Sequence, residues 1–288
     1  MLKIAFTKMH GAGNDYIYVN CLNGYSFDPS DLAVRMSPRH FSVGADGLVM
    51  ILPSEIADAR MRMFNADGSE GKMCGNAIRC VGKFLSDGGY VTKDVITVET
   101  LSGVKTLRLY KEKGIVTKVS VDMGRAVFDC AKVPVIFDKP EMINAPVEVD
   151  GKTYEMTAVS MGNPHAVIFV SRGLDYLPLD KMGPKFENLS IFPERVNTEF
   201  VSLVSFQECY MRVWERGSGE TFACGTGASA TVAAGVKCGL YEPNTDVTVH
   251  LIGGDLVIRV SPDYDVTMTG GATKVYEGVF EYDEDQGQ

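Results

Sequence analysis

The stretch MRMFNADGSEGKMCGNAI, at Met61–Ile78, has a counterpart later in the chain, MRVWERGSGETFACGTGA at Met211–Ala228. The two are offset by 150 positions (211 − 61), and five of their eighteen positions are identical. The identical pairs are Met61/Met211, Arg62/Arg212, Glu70/Glu220, Cys74/Cys224 and Gly75/Gly225. Similarity between two parts of one chain indicates a duplicated structural unit. The sequence therefore predicts two related halves, each containing one of the two matched cysteines.

A second pair of short segments supports the duplication. With an offset of 149 positions (162 − 13), Gly13-Asn14 falls on Gly162-Asn163, and each pair precedes an apolar, strand-like run. We therefore predict an N-terminal half at 1–126 and a C-terminal half at 127–271. The last strand, within 272–288, is expected to return to the first half.

Each matched cysteine is followed by a predicted helix. The segment GNAIRCVGKFLSDGG places Ile78, Val81 and Leu85 at helical spacing and stops at a glycine pair, which is a natural C-terminal cap. The segment GTGASATVAAGVKCGL is small and apolar on every side up to Lys237, which indicates a helix enclosed by protein. Short β-branched and aromatic runs occur through the rest of the chain. The predicted fold class is α/β (α+β), with β-structure around two buried helices.

Composition excludes several classes of function. The chain has 288 residues, 45% hydrophobic and 23% charged, with a formal net charge of −9 and no cluster of Lys and Arg. An acidic chain without a basic patch is not expected to bind nucleic acid. There is neither a secretion signal nor an apolar run of the roughly 18 residues that a membrane span needs. We expect no membrane association and a cytoplasmic location.

The cysteines predict neither disulfides nor a metal site. They are odd in number and scattered, and none of them forms a C-x-x-C pair. The four histidines stand far from the cysteines in the sequence, so a zinc site has little support. The glycine-rich GSGETFACGTG lacks the GK[ST] ending of a nucleotide-binding P-loop. We therefore expect no cofactor. The seven cysteines are Cys21, Cys74, Cys80, Cys130, Cys209, Cys224 and Cys238.

Two of these cysteines are placed for chemistry. Cys74 and Cys224 are each followed by Gly and then by Asn76 or Thr226, at the predicted start of a helix. Amide groups at a helix N-terminus favour a thiolate and bind a carboxylate. A free cysteine more often packs as a small buried hydrophobic side chain. This interpretation suits the five other cysteines. Two thiols facing each other across a cleft predict removal of a proton next to a carboxylate and its return to the opposite face.

Other polar residues suit an amino-acid substrate. Four asparagines can each donate and accept hydrogen bonds, and Glu215-Arg216 offers one charge for an ammonium group and one for a carboxylate. These residues also have ordinary interpretations, because asparagine is common in turns and a Glu-Arg pair is common on a solvated face. His165 fits a structural histidine as well as a proton-transfer group. The asparagines are Asn14, Asn65, Asn163 and Asn197.

These motifs together resemble the diaminopimelate epimerase family. The resemblance rests on KMHGAGNDYI, VGADGL, MFNADGSEGKMCGNAIRC, SMGNPHAV, VNTEFV and ERGSGETFACGTGA, and it extends from Thr7 to about Tyr276. It implies interconversion of LL- and meso-2,6-diaminopimelate, a step towards lysine and peptidoglycan, without a cofactor. It also implies two pseudo-symmetric domains, each a β-barrel-like mixed sheet around a central helix. A homodimer is expected, with Tyr276 at the dimer contact.

The resemblance also implies roles for individual residues. Cys74 and Cys224 would be the paired base and acid, and His165 and Glu215 would assist them. The substrate-binding residues would be Asn14, Asn65, Gly75, Asn76, Asn163, Asn197, Glu215, Arg216, Gly225 and Thr226. Two departures from the family pattern are Gly47, where some members carry Gln, and Asn-Ala-Ile-Arg after Cys74, where many have Asn-Gly-Ala-Arg. Both concern substrate contacts rather than the reacting groups.

Alternative functions are distinguished by particular features. A proline or hydroxyproline racemase also has two cysteines, but its substrate has only one carboxylate, and the asparagine set with Glu215-Arg216 argues against it. A phenazine-biosynthesis-type isomerase shares the fold but lacks the paired cysteines. A thiol redox switch or metal-binding protein would use the same cysteines differently; reversible inactivation by oxidation and the absence of a tightly held metal would favour the enzyme. A purely structural role leaves the paired motifs unexplained.

Overall fold

A computed structural model describes residues 1–171 and 173–283. The chain divides into two compact units, Met1–Val121 joined by the C-terminal segment from Gly270, and Asp122–Thr269. The predicted limits, 126/127 and 271/272, lie a few residues further along the chain. Each unit is mostly β-sheet with two α-helices, so the predicted mixed α/β class is confirmed.

The secondary structure consists mostly of strands, with helices between some of them. Up to Arg125 the elements are β1 (Leu2–Gly11), β2 (Asn14–Asn20), α1 (Pro29–Met36), β3 (Gly47–Leu52), β4 (Ala59–Asn65), β5 (Glu70–Gly71), α2 (Gly75–Asp87), β6 (Val95–Thr100), β7 (Gly103–Glu112) and β8 (Ile115–Arg125). They continue with β9 (Ala145–Val149), β10 (Lys152–Ser160), β11 (Pro164–Phe169), a 3-10 turn (Leu174–Tyr176), α3 (Leu179–Glu187), β12 (Asn197–Ser205), β13 (Glu208–Glu215), β14 (Gly219–Glu220), α4 (Gly225–Lys237), β15 (Asp246–Leu251), β16 (Gly254–Val260), β17 (Asp265–Gly271) and β18 (Thr273–Tyr282).

The two units repeat one pattern of strand pairing. In the first, β1–β2 is antiparallel, β2–β3 parallel, β3–β4 antiparallel, β4–β6 parallel and β6–β7 antiparallel. In the second, β10–β11, β11–β12, β12–β13, β13–β15 and β15–β16 follow the same sequence of directions. Parallel neighbours need a long crossover. The four α-helices lie in these crossovers, α1 and α2 in one unit and α3 and α4 in the other.

The helices after the matched cysteines are the buried centres of their units. Helix α2 packs against β1, β2 and β7, and helix α4 packs against β10, β11, β12 and β16. Both are thirteen residues long. Helix α4 is buried from Gly225 to Gly235 apart from Thr226, as its small apolar composition predicted. Helix α2 ends before Gly88 and Gly89, and the positive φ of Gly89 (74°) explains why glycine stands there.

A repeated ion pair marks the same place in each unit. Arg62 donates to Glu70 at 2.7 and 3.0 Å, and Arg212 donates to Glu220 at the same two distances. Each pair connects a long strand to the short strand that precedes the cysteine helix. A bidentate Arg-carboxylate pair constrains orientation as well as distance. It therefore helps to place the segment leading into each cysteine.

Strand β18 completes the sheet of the first unit. It pairs antiparallel with β1, from Leu2 opposite Tyr282 to His10 opposite Thr273. Tyr276, on this strand, is partly exposed, and its ring packs edge-on against Phe6. Its predicted role at a dimer contact stays a prediction. Over residues 1–171 and 173–283, none of the helices has the length and apolar character needed to cross a membrane.

The histidine of β15 gives the second unit a pH-dependent contribution to stability. His250 lies 2.8 Å from both Asp255 and Glu208, and hydrogen bonds to Asp255 and then Glu208 raise the pKa of His250. A raised pKa means that the stabilisation is fully present below the unfolded pKa of about 6.5 and is lost as the pH rises through the folded pKa. We expect His250→Gln to lower the free energy of unfolding at about pH 6 and to change it little at about pH 9.

Urea unfolding at the two pH values measures this difference. The exposed His40, changed to Gln, is the matched control and should show no such pH dependence. Equal destabilisation of His250→Gln at both pH values would contradict the assignment.

Candidate active site

Cys74 lies at the N-terminal cap of α2 in the first unit. Its backbone is extended, with φ −130° and ψ 122°, and its side chain makes no capping hydrogen bond. The sulfur instead donates to Asn14 Oδ1 at 3.2 Å. Gly75 and Asn76 form the first turn of the helix and are buried. Asn14, one of the predicted substrate-binding residues, therefore lies beside Cys74.

Asn14 is held from the opposite side by a residue that the sequence analysis did not single out. Its Nδ2 donates to Asp46 Oδ2 at 2.7 Å. The same oxygen accepts from the backbone N–H of Asp15 at 3.1 Å, and the other accepts from Arg39 at 2.8 Å. Burial, and then the neighbouring charge of Asp15, raises the pKa of Asp46. The amide of Asn14 is thus fixed between a carboxylate and a thiol.

A second unanticipated residue is Arg79, which is completely buried in α2. Its guanidinium donates to the carbonyl of Gly75 at 3.2 Å, to Asn76 Oδ1 at 3.0 Å and to the carbonyl of Gly271 at 3.2 Å. Burial lowers the pKa of Arg79, and the nearby groups Cys80 and Cys74 oppose this. A guanidinium keeps its charge in proteins. Arg79 therefore places a positive charge within the first turns of α2, and this charge stabilises an anion at the N-terminus of the helix.

Cys224 occupies the corresponding cap of α4 in the second unit. Its sulfur accepts from the backbone N–H of Gly227 at 3.3 Å and lies 3.4 Å from Thr226 Oγ1. Burial, followed by the charges of Glu215 and Glu199, raises the pKa of Cys224 well above its ordinary value. The hydrogen bonds from Thr226 and Gly227 oppose this shift without cancelling it. Burial and the two acidic neighbours thus favour the neutral thiol of Cys224 over its thiolate.

His165 belongs to a buried chain of hydrogen bonds in the second unit. Its Nδ1 lies 2.7 Å from Glu199 Oε1, and its Nε2 lies 3.0 Å from Asn163 Oδ1. Asn163 in turn donates from Nδ2 to Thr226 Oγ1 at 3.4 Å. His165 and Glu199 are both completely buried. The chain connects the His165–Glu199 pair to Thr226, the neighbour of the Cys224 sulfur.

Glu199 was missed by the sequence analysis, although it stands in the quoted VNTEFV segment. It is a charged residue inside a strand segment that is buried from Asn197 to Val201, and such a residue needs a partner. Within the described residues, its Oε2 makes no hydrogen bond. Its Oε1 would lie 2.8 Å from a Cβ added to Gly227. The carboxylate therefore reaches the first turn of α4.

Glu215 and Asn197 lie in the same unit. Burial raises the pKa of Glu215, against the opposing hydrogen bond from Thr221, whose hydroxyl donates at 2.5 Å. Asn197 donates to the carbonyl of Pro164 at 3.1 Å and accepts from the backbone N–H of Arg216 at 2.9 Å. Asn197, at the start of β12, thus connects this strand to the first residue of β11 and to the residue that follows β13.

Two predicted substrate contacts have local partners in the structure. The guanidinium of Arg216 donates to the carbonyl of Glu194 at 2.9 Å. Asn65, exposed at the end of β4, donates to Ser69 Oγ at 2.9 Å, and Gly47 lies opposite it in β3. A Cβ on Gly47 would lie 2.0 Å from the carbonyl of Phe64. In this structure the departure at Gly47 therefore reflects a close approach of two strands.

The described segments contain no group of three His, Cys, Asp or Glu side chains arranged to hold a metal ion. All seven cysteines are present as thiols rather than disulfides. The polar groups near Cys74 and Cys224 are amides, carboxylates, hydroxyls and one imidazole, which can bind an amino acid and move protons.

Comparison with known proteins gives the family. The sequence profile of the diaminopimelate epimerase family matches residues 6–128 and 157–275. The chain belongs to the diaminopimelate epimerase family. The diaminopimelate epimerase of Acetivibrio thermocellus is 52% identical over 280 residues, covering 97% of this chain and 99% of that protein. That of Desulfovibrio desulfuricans is 51% identical over 284 residues, covering 96% and 98%. The protein is an isomerase of the epimerase type.

Solved structures share the fold at low sequence identity. A phenazine biosynthesis protein of the PhzF family from Bacillus anthracis superposes with a TM-score of 0.73 at 18% identity, covering 98% of this chain and all (100%) of that one. A hydroxyproline epimerase from Agrobacterium vitis, solved with bound trans-4-hydroxy-L-proline, gives 0.69 at 16% identity, covering 96% and 91%. These similarities confirm the predicted epimerase-like fold.

The close packing around Gly227 generates a prediction. A methyl group there would lie 2.8 Å from Glu199 Oε1 and 3.3 Å from Cys224 Sγ. We expect Gly227→Ala to lower the kcat/KM of epimerisation by about a hundredfold. A displacement of about 1 Å at a catalytic group is enough to cause a loss of this size. Steady-state kinetics and circular dichroism measure the loss and the retention of the fold. Ser229→Ala, in the same buried helix, is the control, and wild-type rates for Gly227→Ala would refute the packing argument.

Proposed function

We propose that the protein interconverts LL- and meso-2,6-diaminopimelate by a two-thiol mechanism in which Cys74 and Cys224 are the paired base and acid. The observation that carries the proposal is the matched position of the two thiols. Each caps a buried helix of thirteen residues, and the duplicated units pair their strands in the same directions. Membership of the diaminopimelate epimerase family supports the substrate.

The mechanism requires both thiols to reach one α-carbon from opposite faces. One thiolate takes the α-proton, and the electron pair of the broken C–H bond becomes a carbanion next to the carboxylate. The other thiol then gives its proton to the opposite face, which inverts the centre and leaves the two sulfurs with exchanged protonation. Amide groups at Gly75-Asn76 and Gly225-Thr226 would hold the carboxylate and stabilise the developing charge.

The acidic neighbours of Cys224 suit it to keep its proton until the carbanion forms. Its raised pKa, due to burial and then to Glu215 and Glu199, makes the thiol the resting form. His165 and Glu215 are the further groups that we propose to assist catalysis. His165 acts through Asn163 and Thr226, as the hydrogen-bond chain allows.

Recognition of the second amino-acid group of the substrate would set specificity. We assign this role to four of the polar residues that the family pattern names. They are Asn65, Asn197, Glu215 and Arg216. The place of the reaction in lysine and peptidoglycan formation, the homodimer with Tyr276 at its contact and the cytoplasmic location also stay predictions.

Isotope incorporation tests the proposal directly. Wild-type protein, fully reduced, is incubated with LL-diaminopimelate in deuterated water, and the meso product is expected to carry deuterium at the inverted centre. Cys74→Ala and Cys224→Ala should each lower turnover by about a thousandfold or more, within the range for loss of a general acid or base. Mass spectrometry and chiral chromatography measure both quantities.

The control is Cys238→Ala, which removes a partly exposed thiol at the end of α4 and should keep full activity. Full activity in either single mutant of the pair would refute the two-thiol mechanism. No exchange with diaminopimelate would refute the substrate, and proline and hydroxyproline would then be tested in the same assay.

The ionisation of the thiols predicts the pH dependence. Turnover requires that one proton leaves the thiol pair, and burial with two acidic neighbours raises the pKa of Cys224. We therefore expect kcat/KM to rise with pH from about 6 to about 8 and to fall once both sulfurs are ionised. Initial rates across this range measure the profile. A rate that is constant over it would contradict the resting state of two thiols.

A further inference from the structure

The symmetry-related asparagines Asn14 and Asn163 present opposite ends of their amides to the cysteine motifs. Asn14 turns its oxygen towards the Cys74 sulfur, at 3.2 Å. Asn163 turns its nitrogen towards Thr226, at 3.4 Å. An amide oxygen only accepts and an amide nitrogen only donates. The two units therefore offer hydrogen bonds of opposite polarity at equivalent positions of the repeat.

The cause of this difference lies on the far side of each amide. In the first unit an acceptor, the carboxylate of Asp46, takes the N–H of Asn14 at 2.7 Å. In the second unit His165 Nε2 lies 3.0 Å from the oxygen of Asn163. The equivalent positions carry other residues: Tyr16 stands where His165 stands in the parallel strand pair, and Val196 is offset by 150 from Asp46. Each unit thus holds its asparagine from a different segment, the residue before β3 in the first unit and strand β11 in the second.

We propose that Asp46 is a positioning residue for the epimerase reaction, which fixes the oxygen of Asn14 towards Cys74 and so keeps the Cys74 thiol protonated until substrate binds. The catalytic consequence rests on the proposed function. The hydrogen-bond geometry does not, because it concerns the side chains alone. Asp46 contacts Asn14 rather than the sulfur, so its effect passes through that one amide.

Asp46 is itself well anchored for this task. One carboxylate oxygen accepts hydrogen bonds from the Asn14 side-chain amide and from the backbone N–H of Asp15. The other accepts a hydrogen bond from the Arg39 guanidinium. An asparagine at position 46 would meet two donors on the first side, so its oxygen must face them and its NH2 group must face Arg39. Arg39 is about half exposed, with 54% of its side chain accessible, and can turn to water. Asp46→Asn therefore removes the charge but keeps the acceptor, whereas Asp46→Ala removes both.

The rate at which iodoacetamide alkylates Cys74 tests the proposal without turnover, because the thiolate is the reactive form. In Asp46→Ala the Asn14 amide is released and presents its N–H to the sulfur for part of the time. We expect alkylation of Cys74 at fixed pH to be about three to ten times faster, the change that one hydrogen bond of ordinary strength produces. Asp46→Asn should stay within about twofold of the wild type. Peptide mass spectrometry follows Cys74, with the partly exposed Cys238 as the internal reference.

A double-mutant cycle separates the amide from the charge of Asp46. In the Asn14→Ala background, Asp46→Ala should cause no further acceleration. Equal acceleration in Asp46→Asn and Asp46→Ala, or acceleration that persists without Asn14, would mean that Asp46 acts by charge alone and would overturn the proposal. Asp94→Ala, which removes an exposed carboxylate paired with Lys111, controls for net charge and should change nothing.

A measurement on the wild-type protein keeps the proposal testable if Asp46→Ala does not fold. The side-chain amide signal of Asn14 in a proton–nitrogen NMR spectrum, assigned by its loss in Asn14→Asp, should shift as the Asp46 carboxyl carbon titrates. An Asn14 amide chemical shift that stays constant while Asp46 titrates would overturn the proposal. Failure of wild-type protein to epimerise diaminopimelate would instead refute the proposed function and leave both of these readouts intact.

Discussion

The proposed chemistry depends on burying the N-terminus of a helix inside a sheet with a cysteine as its cap. The first amide groups of an α-helix lack partners within the helix, and the usual caps, Ser, Thr, Asp and Asn, occupy them with oxygen. Sulfur is a weak acceptor. Cys74 makes no capping bond, and Cys224 takes only the N–H of Gly227. One position therefore places a thiol at a helix N-terminus, where the backbone amide groups favour an anion.

Duplication supplies two such caps, but the proposed mechanism needs one thiol and one thiolate, which differing surroundings can provide. The helices differ at equivalent positions: Arg79 lies where α4 has Ser229, whose uncharged hydroxyl donates to the carbonyl of Gly225. The second unit instead has Glu199 and Glu215 acting on Cys224. A buried cation near one thiol and two carboxylates near the other make the pair unequal. Divergence of a few side chains around a constant backbone is sufficient for this.

Much of this arrangement is predictable because it is local in the sequence. The spacing of Ile78, Val81 and Leu85 predicts α2, and the small residues before Lys237 predict a buried α4. The repeat itself identifies both cysteines. These features depend on contacts within a few turns of one helix, or on comparing one segment with another, and neither requires knowledge of the strand register.

Asp46 and Glu199 could not be found in this way, because strand register decides what they touch. Glu199 meets His165, 34 positions away (199 − 165), only because β11 and β12 run parallel with His165 opposite Asn197. Asp46 meets Asn14 only because the chain enters β3 beside the start of β2. One signal was nevertheless present. A carboxylate within a run of buried strand residues is costly unless it is paired. The acidic residue of VNTEFV therefore implied a nearby partner, although only the fold identifies that partner as His165.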